Sequence, residues 1–281
     1  MNYFLKLLYQ SWLKVFLSLT IVSAACFFSY RFEMADYFEE IKSNDFFDLT
    51  IKKEEYSSYL LPVIDDVNFL SNLYSKHSRD VLYDNVQLLI LNRPLISHIE
   101  LTHIKQKITT TIFRDNVLVK RFKAEPVHSE LVLNSVYISP MFVGNSSIQI
   151  KLMSKINPDT YLTIFVDASV MLNFLDKVYI PSIGLHFLFD HNNEVIYTYS
   201  EDKQNLVKEI FRRYAFEQSG QIHTREGILT YDTLFPVPEE RLNENGEIEL
   251  PHYDLPLKLK FNPIQIASFI DNEQINQLKS E

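Results

Sequence analysis

Apolar and polar positions divide the chain into three stretches of different period. Val15 to Tyr30 (VFLSLTIVSAACFFSY) carries no charge and is bounded by Lys14 and Arg31. It is shorter than the ~20 residues of a typical spanning helix, but the two bounding side chains can snorkel and extend it. From Tyr59, apolar residues recur at spacings of three and four: Leu60, Val63, Ile64, Val67, Leu70 and Tyr74. Leu82, Val86 and Leu89 continue the pattern toward Asn92, Arg93 and Pro94. This spacing predicts a long helix, kinked near Lys76 to Arg79 and ended by the proline, with Pro62 tolerated in its first turn.

Beyond Pro94 the period becomes two. Ile108–Phe113 and Val117–Phe122 flank Arg114, Asp115 and Asn116, which predicts a hairpin. Ser135–Val143 is a further strand, Ile148, Ile150 and Leu152 alternate with Gln149 and Lys151, and Tyr161–Val166 is a nearly continuous apolar strand. Asp167 then offers an N-cap to a short helix, Val170 to Val178. A second hairpin follows, Leu185–Phe189 and Val195–Tyr199, whose turn uses Asn193 for a positive φ. A helix over Asp202–Phe216 and strands at Gly227–Phe235, Glu247–Leu250 and Leu257–Phe261 complete the pattern. Ile264 to Leu278, with Asp271 and Glu273, reads as a surface helix. The order predicts an α+β fold: an N-terminal transmembrane helix, a stalk helix and two antiparallel-sheet modules in series.

Charge places these elements. The formal net charge is -9, and the first 31 residues contain Lys6, Lys14 and Arg31 but no acid. Glu33, Asp36, Glu39 and Glu40 follow the apolar run, so the positive-inside bias sets the N-terminus in the cytoplasm and the body in the periplasm of a bacterial inner membrane, as a single-pass protein. Three readings of the run stay open: an uncleaved anchor, a signal peptide cut after Ser23, Ala24 and Ala25, or a lipoprotein acylated at Cys26. All three export residues 32 to 281. A body this acidic repels phosphates, which excludes nucleic acid as a partner. Only 5 glycines occur, no two within six residues of each other, so the glycine-rich phosphate loops are excluded. The single cysteine excludes multi-cysteine metal sites and internal disulfides.

The strands SVYISPMFV and SIQIKLMS, followed by YLTIFVDASVMLNFL, resemble the periplasmic double-Cache (PAS-like) sensor modules of bacterial membrane receptors. FLFDHNNEVIYTY is similar to the opening hairpin of that family's second module, and NRPLISHIEL to its helix-to-strand junction. The resemblance covers residues 35 to 265 and implies a ligand pocket in the membrane-distal module. It places Asp167 at the strand-end acid that meets a ligand amine in amino-acid-binding members, and Tyr137 and Ser139 on the facing strand. The Arg followed by Trp and Tyr that completes the signature is absent, with Arg121 and Phe122 a partial echo. The implied division is 1–31 cytoplasmic tip and anchor, 32–94 stalk, 95–180 distal module, 181–265 proximal module and 266–281 tail.

Other chemistry is sparse. His98 and Glu100 share a strand face while His103 points away, so they do not converge on a metal. Asp190, Asn192 and Glu194 resemble half a calcium loop but lack its glycine, and read as a hairpin turn. Asn145, Ser146 and Ser147 form a glycosylation sequon. No nucleophile with an activating base can be assembled, no cofactor motif occurs, and neither GGDEF, EAL nor a kinase nucleotide box is present. The expected function is therefore non-catalytic: a membrane-anchored sensor that binds a small ligand or partner and modulates a separate signalling protein, or acts as a homodimer. The alternatives are a ligand-free interaction module docking a membrane partner, or the stub of a sensor kinase or diguanylate cyclase.

Overall fold

A computed structural model describes residues 2–76, 79–113, 117–121, 131–133, 135–143, 147–175, 184–215, 217–248, 250 and 257–278. Packing divides the chain into Met1–Asp45 and Phe46–Glu281. In the first unit the apolar run is helical, and Trp12, Phe16, Leu19 and Ile21 are each more than half exposed. Among the described residues this is the one helix long and apolar enough to cross a membrane.

The helix α1 runs over Asn2–Lys76 and α2 over Arg79–Asn92. The kink expected near Lys76 to Arg79 falls on His77 and Ser78, which lie outside the described residues. Pro62 is not in a first turn but deep inside α1. It is tolerated there although it leaves the Ser58 carbonyl without its helical donor. Leu60, Val63, Ile64, Val67 and Leu70 are buried on one face of α1, as their spacing predicts.

The strands are β1 (Ile96–His103), β2 (Ile108–Phe113), β3 (Val117–Arg121), β4 (Ser135–Ile138), β5 (Phe142–Val143), β6 (Ile148–Asn157) and β7 (Thr160–Asp167). After the short helix α3 (Ala168–Leu172) come β8 (Leu185–Phe189), β9 (Val195–Thr198), α4 (Glu201–Tyr214), β10 (Gly220–His223), β11 (Gly227–Leu234), β12 (Glu247–Ile248), β13 (Leu257–Phe261), β14 (Ile264–Asp271) and α5 (Asn272–Leu278). The expected strand over Ser135–Val143 is two strands, interrupted at Ser139, Pro140 and Met141, because proline supplies no ladder donor. The hairpin residues Arg114, Asp115 and Asn116 and the sequon residues Asn145 and Ser146 lie outside the described residues. So do Phe122 and the last part of the helix expected to reach Val178.

The described strands form two sheets. The larger has nine, in the order β12-β13-β4-β6-β7-β1-β2-β3 with β5 on β6; the smaller has the order β10-β11-β14-β8-β9. β13 enters the large sheet parallel to β4, Lys260 opposite Tyr137, so the late strand completes the early sheet. One face of the large sheet packs on α1 and α2 through Ile99, Leu101, Ile150, Leu152, Leu162 and Ile164. The small sheet buries Leu188 and Ile266 in that same core and turns Phe187, Leu229 and Phe269 toward α4. There Phe189 and Phe211 stack at 4.0 Å.

Ile264–Asp271 is a correction to the sequence reading. It is not a surface helix but the middle strand of the small sheet, with Ile266, Ala267 and Phe269 fully buried. Both of its faces are covered, so its apolar residues show no amphipathic alternation. Only Asn272–Leu278 is helical.

Asp48, Lys52 and His186 meet inside the body. Asp48 and Lys52, one turn apart on α1, have no exposed side-chain area, and Lys52 Nζ lies 3.6 Å from Asp48 Oδ2. His186 of β8 places Nε2 3.0 Å from the same oxygen. Lys52 also donates to the Leu175 carbonyl, just beyond α3, at 3.4 Å. At the far end of the helical pair, Arg93 Nε donates to Asp66 at 2.8 Å, closing the turn from α2 back onto α1. Burial raises the Asp66 carboxyl above its ordinary value despite that guanidinium.

The β11–β14 pairing is close enough to test. Gly227 sits opposite Asp271, and a Cβ there would come within 2.2 Å of the Ile270 carbonyl oxygen. Gly227→Ala should destabilise the protein by about 1–3 kcal/mol in urea unfolding followed by circular dichroism. An unchanged midpoint would contradict the strand register.

Candidate functional site

The face of the large sheet that points away from α1 and α2 carries a row of side chains set by strand register. Lys151 of β6 lies opposite Phe165 of β7, Phe165 opposite His98 of β1, and His98 opposite Phe113 of β2. Phe142 of β5 flanks the row, since it pairs with Gln149 two residues before Lys151. A bulge at Ser97 makes this alignment. The β1–β7 register shifts between Ile96 and His98, so Ile96 and Ile99 both reach the core while His98 turns outward. Ser97 Oγ holds the bulge, 2.9 Å from His98 Nδ1 and 3.2 Å from the Phe165 carbonyl.

The rings pack against one another. The His98 and Phe165 centroids are 4.0 Å apart at 17°, and those of His98 and Phe113 5.2 Å apart at 26°. Lys151 Nζ stands 4.6 Å from the Phe142 centroid and 5.3 Å from that of Phe165, a cation between two π faces. The next row holds Tyr137, Met153, Thr163, Glu100 and Thr111, with Thr111 Oγ1 donating to Glu100 at 3.2 Å.

The residues singled out from the sequence are distributed around this row. Asp167 ends β7 and caps α3, accepting from the Ser169 amide at 2.9 Å. Tyr137 is half-buried opposite Met153. Ser139 is tied to β6: its amide donates to the Lys151 carbonyl at 2.8 Å, and its Oγ accepts from the Lys151 amide at 2.9 Å. These three border the row. Arg121 does not join them. It pairs with Ile108 on the edge strand β3, level with the Thr160 end of β7, so it occupies the opposite corner of the sheet from Asp167. At about 4.8 Å per strand and 3.3 Å per residue, the two lie roughly 14 Å apart across the sheet and 23 Å along it.

Lys151, Phe165, Phe142 and Phe113 were not marked as functional by the sequence. The alternation of β6 placed Lys151 on a polar face, but which rings flank it depends on the pairing of five strands. The metal reading of His98, Glu100 and His103 ends as their alternation implies, with His103 on the core side 3.1 Å from Thr160 Oγ1. Among the described residues no group of three metal-ligating side chains converges. The Asp190 turn is a hairpin loop, its Oδ1 accepting from the Asn192 and Glu194 amides with Asn193 at φ 59°.

A cleft of about 670 Å³ lies between α1 and the segment leading into and out of β11. Its ammonium, Lys53, is engaged by Asp232 and Glu239 at 3.3 Å each and lies 5.2 Å from the Phe235 centroid. Its opposite charges thus satisfy one another, whereas among the described residues no carboxylate pairs with Lys151 in the row on the large sheet.

His98 reports the electrostatics of the row. Burial first, and the Lys151 charge second, push it from an ordinary 6.5 down to about 4. The unfolded chain therefore binds this proton before the folded protein does. The stabilisation is complete above pH 6.5 and is lost as pH falls from there to about 4. His98→Phe should flatten the decline of the urea midpoint across that window, and the His98 ring should titrate near the lower limit by NMR. A ring titrating at its ordinary value would contradict the packing.

No protein-family model matches the sequence, and no curated protein matches it. The fold does have known counterparts. An extracellular domain described as that of the histidine kinase vpHK1S-Z8 superposes with a TM-score of 0.62 at 13% identity, covering 88% of this chain and 97% of its own. A domain described as a sensory box/GGDEF family protein of Vibrio parahaemolyticus gives 0.60 at 13% identity, covering 84% and 99%. The sensory domain of the Campylobacter jejuni chemoreceptor Tlp3 gives 0.56 at 11% identity, covering 85% and 96%, and that domain is also known with isoleucine bound. The chain thus has the fold of the extracellular sensor domains of bacterial histidine kinases, GGDEF-family proteins and chemoreceptors.

Proposed function

We propose that this chain is a membrane-anchored sensor of the bacterial inner membrane, with its N-terminus in the cytoplasm and its body in the periplasm. It binds a small molecule on the outer face of the large sheet and modulates a separate signalling protein through α1. In this reading 95–180 is the distal, ligand-binding module and 181–265 the proximal one. Asp167, Tyr137 and Ser139 border the site, and Arg121 is too far across the sheet to share a ligand with Asp167.

The observation that carries the reading is the packing of α1 on the large sheet. Leu60, Ile64 and Val67 of α1 pack in one cluster with Ile99, Leu152 and Ile164. Those last three strands carry His98, Lys151 and Phe165 on their opposite face. A ligand that shifts the strands therefore acts on α1 through a close-packed layer one sheet thick, and close-packed cores transmit such shifts. The ligand-bound chemoreceptor domain of the same fold adds support by analogy.

The full-length chain in detergent, screened by thermal shift against amino acids, carboxylates, amines and nucleobases, tests the reading. At least one compound should raise the melting temperature. The gain follows RT ln(1 + [L]/Kd), about 2.7 kcal/mol at a hundredfold excess over Kd. A melting temperature that no class of compound moves would overturn the sensor assignment in favour of a ligand-free docking module.

A further inference from the structure

On the sensing reading just given, we infer that the ligand is a small organic carboxylate with an apolar remainder, anchored by the Lys151 ammonium between Phe142 and Phe165.

Three observations lead there. The first is charge. Lys151 is half-buried, and among the described residues no carboxylate lies within ion-pair distance of its Nζ. The acids on the same face hold other contacts: Asp167 accepts from the amide of Ser169, and Glu100 accepts from Thr111. A half-buried cation favours an anionic partner, because the reduced dielectric strengthens the attraction.

The second is the orientation of the rings. Phe165, His98 and Phe113 turn their faces toward one another, at 17° and 26°, and Lys151 occupies the faces of Phe142 and Phe165. Faces of Phe165, Phe142, Phe113 and His98 are thereby used within the row. What remains for a ligand is ring edges, which are the electropositive part of an aromatic group. Edges and ammonium together favour a negative head, and the ring carbons favour an apolar body.

The third is the state of His98. Its depressed proton affinity keeps the imidazole neutral at physiological pH, so it adds polar contact without a second charge. One cation in an apolar row matches a monocarboxylate better than a dianion. A free amine would meet the Lys151 charge directly.

Isothermal titration of the full-length chain in detergent tests the class with six probes: benzoate, phenylacetate and isovalerate against benzylamine, L-phenylalanine and benzamide. At least one of the carboxylates should bind, and benzamide should bind about tenfold more weakly than benzoate. Lys151→Met, which keeps the long aliphatic stem, should lose about tenfold in carboxylate affinity. Lys151→Arg should restore it, which separates loss of charge from loss of folding. Binding of benzylamine or L-phenylalanine with no carboxylate bound would overturn the ligand class and leave the sensor assignment standing. Carboxylate binding that Lys151→Met leaves unchanged would overturn the role of Lys151. Silence from all six while the wider thermal screen finds another stabilising compound would overturn the class alone, and silence in both would overturn the sensor assignment with it.

Discussion

The buried pair of Asp48 and Lys52, with His186 and the Leu175 carbonyl around it, is the constraint on which the rest of the body depends. Taking a carboxylate and an ammonium out of water costs several kcal/mol per ion, and their attraction returns that cost only in a narrow geometry. The pair therefore contributes little net stability and a great deal of position. If α1 slid by one turn, about 5.4 Å, the charges would lose His186 and Leu175 while remaining in the core. The apolar contacts of Leu60, Ile64 and Leu70 could readjust to other apolar neighbours, but the contacts of the two charges to His186 and the Leu175 carbonyl could not. Rotation and register of the buried part of α1 are thus tied to the first strand of the small sheet and to the end of the α3 segment. Between those two points the chain passes from one sheet to the other.

This arrangement gives the outer face of the large sheet a mechanical meaning. The row of Lys151, Phe165 and His98 and the core contacts of α1 lie on opposite faces of the same strands, with no layer of mobile chain between them. Small strand displacements on one side become displacements of packed side chains on the other. The parallel insertion of β13 beside β4 adds a second connection, because it leads directly, through Asn262 and Pro263, into β14 at the centre of the small sheet. Residues of both sheets and of the buried part of α1 thus share one packed core.

Much of this was legible in the sequence, and the failures have physical causes. The face of α1 from Leu60 to Leu70 follows a 3.6-residue period, and β6 follows a two-residue period, because each has one buried face. Asp167 was readable as a cap because the sequence places it between a strand and an apolar helical turn. The middle strand Ile264–Asp271 was not readable as such. It is covered on both sides and runs straight into the polar α5, so Asp271 and Glu273 coloured the whole segment. The aromatic row was invisible for a different reason: Phe142, Lys151, Phe165, His98 and Phe113 are brought together by register alone, and the bulge at Ser97 that aligns His98 leaves no mark in composition. Arg121 illustrates the converse, a residue of suitable chemistry that the edge position of β3 sets far from Asp167. The Asp48–Lys52 spacing is that of any i, i+4 pair on a helix, and only its burial gives it weight.

The most direct test of this account is a double-mutant cycle on that pair, with Asp48→Leu, Lys52→Met and the double substitution in the full-length chain, unfolded in urea. If the pair positions α1, each single substitution strands one buried charge and costs about 3–5 kcal/mol. The double substitution, which leaves neither charge, then costs far less than the sum. Two small, additive single effects would contradict the account, because they would show that neither charge is held in the core by the other.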